Sequence, residues 1–161
     1  MRTLAILFLT LALAACGWQL RGQAQLPFET LYVDGGASAT GIATQLRRYL
    51  RGGSSVKLVD EPKEARATLQ VISELREKQI LSLSTGGRVS EYALNYRVSF
   101  RLYDKTGNLI EPTTVSLRRA ISFSDSQAIQ RETEEQLLYR DMQNDAVQQI
   151  LRRLEAVRPA A

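Results

Sequence analysis

The chain has 161 residues, a formal net charge of +4 at pH 7 and 24% charged residues, which suits one globular domain with a mildly basic surface. It contains no histidine, which excludes a histidine general base and metal binding through imidazole. Its single cysteine excludes an intrachain disulfide.

The first fifteen residues have the features of a secretory signal peptide. Arg2 precedes the largely apolar residues 4–15, a run too short for a membrane-spanning helix, which needs about 20 residues. The run ends in Leu13-Ala14-Ala15-Cys16, which has the form of a lipobox. The sequence therefore predicts cleavage after Ala15 and lipidation of Cys16, the alternative being a soluble exported protein with a chance cysteine.

The predicted mature protein is a single domain, residues 16–161. Removal of Arg2 with the signal peptide lowers its formal charge to +3. Residue 17 is glycine rather than aspartate, the inner-membrane retention signal, so sorting to the outer membrane, on its periplasmic side, is predicted.

An enzymatic function is not predicted. There is no Gly-x-Ser-x-Gly elbow and no phosphate-binding loop. The acidic residues lie in solvated stretches such as Asp60-Glu61 and Glu132–Glu135, and no carboxylate pair has an apolar setting that would raise a pKa. We expect no catalytic residue, no metal and no cofactor.

A short strand and an amphipathic helix are the first predicted elements. The strand is Leu31-Tyr32-Val33, which Asp34-Gly35-Gly36 ends. Ser38 can cap the helix, and Gly52-Gly53 can end it in a left-handed conformation. The predicted apolar face of the helix consists of Ile42, Leu46, Tyr49 and Leu50.

Three longer strands follow a candidate minor strand at residues 56–59. In the first, residues 68–83, the out-of-phase Ile80 predicts a bulge or twist near residues 77–79. The expected apolar face of this strand is Leu69, Val71, Leu75, Leu81 and Leu83. The second has an apolar face of Tyr92, Leu94, Tyr96, Val98, Phe100 and Leu102. The third has an apolar face of Val115, Leu117, Ile121 and Phe123.

A long amphipathic helix is predicted at the C-terminus. Its apolar stripe consists of Leu138, Met142, Ala146, Ile150 and Leu154, with Val147 and Leu151 beside it. We expect Leu94, Val98 and Phe100 of the sheet to pack against Ile150 and Leu154. The predicted fold is an α+β two-layer sandwich, in which two helices pack on one face of a four-stranded, largely antiparallel sheet.

Three segments of the chain resemble the LptE family of lipopolysaccharide-assembly lipoproteins. Cys16-Gly17-Trp18-Gln19-Leu20-Arg21 is similar to the family's opening, in which the lipidated cysteine is followed by Gly, an aromatic residue, a variable residue, Leu and Arg. Ser90-Glu91-Tyr92 resembles its Ala-Glu-Tyr element, and residues 131–135 resemble the start of its C-terminal helix. The polar C-terminal tail of some members is absent.

The resemblance implies a non-enzymatic partner of the β-barrel LptD. Such proteins plug the barrel, assist its assembly and bind lipopolysaccharide on its way to the outer leaflet. Basic residues at the hairpin turn and before the last helix are implicated in that binding, so the resemblance points to Arg131 and, as the nearest basic residue at the turn, Arg88.

The sequence is compatible with two alternatives for the arginines of the sheet and with two for the function. Arg97, Arg101 and Arg118 on the polar sheet face could assist phosphate binding, or they could be solvated residues that pair across the sheet. The alternative function is a lipoprotein scaffold or pilotin-like chaperone of a different envelope complex, which would bind no glycolipid.

Overall fold

The computed structural model describes residues 25–36, 41–122 and 128–157, and for residues 128–131 the backbone alone. The predicted signal peptide, Cys16, Ser38 and Phe123 lie outside the described residues. The elements are β1 (Thr30–Asp34), α1 (Ile42–Gly53), β2 (Lys57–Leu58), β3 (Ala67–Leu83), β4 (Val89–Tyr103), β5 (Asn108–Ser122) and α2 (Ala128–Glu155).

The strands form one mixed five-stranded sheet in the order β2-β1-β3-β4-β5. The predicted α+β class is confirmed, but the predicted count of four strands is wrong. The fifth strand is the candidate minor strand, which pairs in parallel with β1 over two residues. This pairing, like that of β1 with β3, joins segments distant in sequence, so local alternation could not reveal it.

The core lies between the sheet and the two helices. Leu94, Val98 and Phe100 of β4 are fully buried, as are Ile150 and Leu154 of α2, which confirms the prediction for these residues. Arg153 of α2 lies over the Phe100 ring, 5.8 Å from its centroid, which places α2 on this face of the sheet. The opposite face, called here the open face, has no helix against it among the described residues.

The side-chain phase of β3 changes at a bulge between Val71 and Ser73. Leu69 and Val71 are buried before the bulge, as predicted, whereas Leu75 beyond it is 44% exposed. The bulge or twist predicted near residues 77–79 lies slightly further along the strand, since the second irregularity follows Ile80. The extra residue at the first bulge moves the polar residues Glu74, Arg76 and Lys78 to the helix side of the sheet.

Helix α1 differs from its prediction at its C-terminal end and along one edge. Gly52 and Gly53 belong to the helix, which ends at the extended Ser54, so the predicted left-handed stop is wrong. The Ser54 hydroxyl donates to the Leu50 carbonyl at 2.7 Å and satisfies one of the last carbonyls. Tyr49 is 39% exposed and lies at the margin of the buried face.

Helix α2 begins at Ala128, one turn before the acidic cluster Glu132–Glu135. Its predicted stripe is confirmed from Met142 to Leu154, and Leu138 is half-buried. Tyr139 reaches β3, where its hydroxyl donates to the Glu77 carbonyl at 2.9 Å. Arg153 near the other end donates to the Thr113 hydroxyl of β5 at 3.0 Å, so α2 runs along the length of the sheet.

Candidate functional site

The β3–β4 turn presents Arg88 at one end of the sheet. Gly87 has φ +74°, a left-handed conformation that favours glycine. The Gly87 N–H donates to the Ser84 carbonyl at 2.9 Å, and the Ser84 N–H donates to the Arg88 carbonyl at 2.7 Å. These bonds fix the backbone of Arg88, whose residue is exposed.

The N-terminus of α2 lies toward the same end of the sheet. Lys78, five residues before the end of β3, forms an ion pair with Glu135 of α2. Arg131 is one helical turn closer to the helix start, within the first turn of α2, and its side chain is outside the described part. A cation at this position opposes the helix dipole, whose N-terminal end favours anions.

Arg97 and Arg101 lie elsewhere. Both are on the open face, and Arg97 is eight residues along β4 from Val89, about 26 Å at 3.3 Å per residue. Arg97 pairs with Glu77 at 2.6 Å, and Arg101 donates to the Gln70 side chain at 2.7 Å. These contacts match the interpretation in which the two arginines pair across the sheet. Arg118, exposed, lies opposite Asn95 in the same register.

A buried carboxylate joins β3 to the start of α1. The Glu74 side chain is 8% exposed and accepts the backbone N–H of Ile42 at 2.9 Å. The Tyr96 hydroxyl donates to its other oxygen at 2.8 Å, and Arg76 lies 3.4 Å from the same oxygen. Glu74 therefore caps the N-terminus of α1 with its side chain, whereas Ser38, the predicted cap, lies outside the described residues.

The Arg76 guanidinium lies between two tyrosine rings, 5.7 Å from the Tyr96 centroid and 5.6 Å from that of Tyr139. Burial, reinforced by the hydrogen bond to Glu74, raises the pKa of Tyr96. Burial and the nearby Glu135 carboxylate raise the pKa of Tyr139. Both phenols therefore remain protonated donors at neutral pH, and the cluster fixes β3, β4 and α2 to one another.

The sequence prediction missed this cluster because it placed the change of phase along β3 near residues 77–79 and not at the bulge between Val71 and Ser73. The available signal was Glu74, Arg76 and Lys78 at every second position immediately after the adjacent apolar pair Val71-Ile72. A bulge at that pair places all three polar residues on the buried side.

Two further observations concern the membrane. Cys16, the predicted lipidation site, lies outside the described residues. Across residues 25–36, 41–122 and 128–157, no helix combines the length and hydropathy needed to cross a bilayer.

Comparison with known proteins decides the family. The family model described as "LptE: Lipopolysaccharide-assembly" matches residues 28–154, from the segment before β1 almost to the end of α2. The chain belongs to the LptE family. The family resemblance noted in the sequence is thereby confirmed.

Curated relatives agree with this assignment. The LPS-assembly lipoprotein LptE of Pectobacterium atrosepticum is 27% identical over 155 residues, covering 94% of this chain and 83% of the relative. The LptE protein of Yersinia enterocolitica is 29% identical over 153 residues, covering 93% of this chain and 73% of the relative.

Solved structures of other bacterial lipoproteins share the fold. Lipoprotein B from Nitrosomonas europaea is 41% identical with a TM-score of 0.75, over 87% of this chain and 91% of that one. The rare lipoprotein B from Shewanella oneidensis is 26% identical with a TM-score of 0.67, over 78% and 92% of the two chains.

Proposed function

We propose that this LptE-family chain is a non-enzymatic outer-membrane lipoprotein, anchored through Cys16 on the periplasmic side. In this role it pairs with the β-barrel LptD as plug and assembly partner, and it binds lipopolysaccharide during delivery to the outer leaflet. The family match over residues 28–154 supports the assembly role. The proposed single mature domain, residues 16–161, contains the whole matched region.

The proposed glycolipid contact is the end of the sheet that carries Arg88 and the first turn of α2. The observation that supports it most is the shared location of the exposed turn arginine and the helix start that contains Arg131. Arginine binds phosphate through two parallel hydrogen bonds, and the lipid A phosphates are anionic. Arg97 and Arg101 have side-chain partners on the open face and are assigned no direct contact.

The test is lipopolysaccharide binding by the mature chain and by an Arg88→Asp/Arg131→Asp variant. Each charge-assisted bond contributes about 1.5–3 kcal/mol, so the double variant should bind at least about tenfold more weakly. A matched control is Lys63→Asp/Arg66→Asp, which makes the same charge change at exposed positions near the opposite end of the sheet.

Purification of LptD with the same variants separates the two parts of the proposal. Unchanged glycolipid binding by the Arg88/Arg131 variant would reject the phosphate contact and leave the barrel partnership. Selective loss of LptD would instead place the arginines in the protein interface. If a different envelope complex accompanied the wild-type chain, the scaffold or pilotin-like alternative would replace the proposal.

A further inference from the structure

A groove with an apolar floor lies between the first residues of β5 and the C-terminal end of α2, and it is called here the β5–α2 groove. Its volume is about 620 Å³. Leu109, Ile110 and Val157 line it, and these three side chains are half-buried and packed against the hydrophobic core. The groove therefore continues the core outward to the surface at this end of the molecule.

The polar side chains of the β5–α2 groove already have partners. Arg153 donates to the Thr113 hydroxyl at 3.0 Å and lies over the Phe100 ring. Glu111 accepts the side-chain amide of Asn108 at 2.9 Å. Because these groups bind one another or near neighbours, the surface that the groove offers to an occupant is mainly its apolar floor. The occupant should therefore present apolar side chains.

The chain in front of β1 carries apolar side chains at every second position. The even-numbered residues from Trp18 to Phe28 are Trp, Leu, Gly, Ala, Leu and Phe, and the odd-numbered residues between them are Gln, Arg, Gln, Gln and Pro. This alternation is typical of an extended segment with one apolar side. The described end of the segment follows the pattern, since Gln25 is exposed, Leu26 is buried in the core and Phe28 packs against it.

The β5–α2 groove is within reach of residues 17–24, which lie outside the described residues. One row of the sheet crosses β1, β3, β4 and β5 at Tyr32, Thr68, Tyr103 and Asn108. The start of β5 is therefore level with β1 and three strand spacings away, about 14 Å. An extended chain advances about 3.3 Å per residue, so Trp18 can lie up to about 26 Å from Leu26.

The other segments of the mature chain that lie outside the described residues do not suit the groove. Residues 37–40 and 158–161 contain no large apolar side chain. Residues 123–127 follow Ser122, at the opposite end of β5 from the groove. Among these segments, residues 17–24 alone combine large apolar side chains with a starting point at the correct end of the sheet.

We infer that residues 17–24 lie along the β5–α2 groove, with Trp18 and Leu20 against its apolar floor. Gln19 and Arg21, on the other side of the extended segment, then face solvent. Cys16 is two residues before Trp18, so this docking holds the predicted lipid attachment site beside the C-terminal end of α2 and not at the end of a free tether. The contact forms within one chain and requires neither LptD nor lipopolysaccharide.

Trp18 is the single tryptophan of the chain, so its fluorescence reports the docking directly. The test uses the mature chain, residues 16–161, with Cys16→Ser, because no lipid or micelle can then cover the indole. Acrylamide should quench Trp18 at least about threefold less efficiently in the folded chain than in urea, since a docked indole is buried. Val157→Asp should raise quenching toward the unfolded value, whereas the control Leu137→Asp, at an exposed position near the other end of α2, should not.

A comparison of single and double variants tests whether Trp18 and Val157 are in contact. Trp18→Ala should lower the midpoint of thermal unfolding by at least about 3 °C, because a buried aromatic side chain is lost. Gln19→Ala, on the polar side of the segment, should leave the midpoint unchanged. When Val157→Asp is already present, Trp18→Ala should cause no further shift, because the contact has already been broken.

Equal quenching of Trp18 in the folded and unfolded chains would reject the docking. Additive shifts for Trp18→Ala and Val157→Asp would overturn the assignment to the β5–α2 groove. Exposure of Trp18 by Tyr49→Asp instead of Val157→Asp would move the segment to the surface beside α1, and protection that is lost on dilution would place it on a second copy. None of these measurements involves LptD or lipopolysaccharide, so a negative result leaves the proposed function unaffected.

Discussion

Glu74 of β3 accepts the backbone N–H of Ile42 at 2.9 Å, so a sheet residue 32 positions away caps helix α1. The Glu74 carboxylate can approach the start of α1 this closely because position 41 is glycine. A Cβ at this position would lie 1.9 Å from a Glu74 carboxylate oxygen. The start of the helix and the polar cluster beneath α2 are therefore one structural unit.

Gly41→Ala should destabilise the protein by about 1.5–3 kcal/mol, because the carboxylate must leave the Ile42 N–H and a hydrogen bond to a charged group is lost. Gly52→Ala is the matched control. No atom lies within 4 Å of a Cβ at Gly52, and alanine in a helix should stabilise by about 0.5–1 kcal/mol. Chemical denaturation measures both, and equal effects would contradict the capping role.

The stability of the protein should fall as the pH rises above about 10. Burial and the hydrogen bond to Glu74 raise the pKa of Tyr96, so the unfolded tyrosine, with a pKa of about 10, ionises first. The stabilisation is complete below that pH and is lost as the pH rises toward the folded-state pKa, by up to about 1.4 kcal/mol per unit. Tyr96→Phe should show a shallower decline between pH 10 and 11.5, and an unchanged slope would count against this cause.

Phe100→Ala should reduce the stability of the protein far more than Arg97→Ala, although the two residues are only three positions apart on β4. Phe100 is fully buried under α2, and its truncation should cost about 3–5 kcal/mol. Arg97 lies exposed on the open face, and its surface ion pair with Glu77 contributes at most about 1 kcal/mol. Thermal melts that shift equally would refute the assignment of faces.

Cys16→Ala should abolish membrane attachment if Cys16 is the lipidated residue. A single acyl chain holds a protein weakly and two membrane signals hold it stably, so a triacylated cysteine should not dissociate. The variant should appear unprocessed or soluble after fractionation of cells that lack LptD. Recovery of the variant in the outer membrane of those cells would disprove the anchor.

Local sequence patterns were sufficient for the parts of the fold with a constant period. Tyr92 to Leu102 alternates without interruption, and β4 is correspondingly regular, with a strand partner on each side. The stripe from Met142 to Leu154 keeps helical spacing, and α2 buries it. In both elements each residue has the same environment as its periodic neighbours, so the pattern directly predicts the buried face.

The remaining features depend on contacts between distant segments. The bulge at Ile72 is a single residue, yet it decides whether Leu75 or Glu74 faces the helices. Capping of α1 by Glu74 requires that bulge and a glycine 33 positions earlier. For the candidate site, the family resemblance indicated Arg88 and Arg131, whereas only the strand register separates them from Arg97 and Arg101.

The length of β3 determines the distance between the two ends of the sheet. Ala67, at one end of the strand, lies beside Leu31 of β1, close to where the described chain begins at Gln25. The turn before Arg88 lies at the other end, 17 residues and about 55 Å away at 3.3 Å per residue. The hydrocarbon core of a bilayer is about 30 Å thick. Under the proposed anchoring at Cys16, nine residues before Gln25, β3 is therefore longer than the hydrocarbon core is thick, sufficient for its turn to reach from one leaflet to the level of the other.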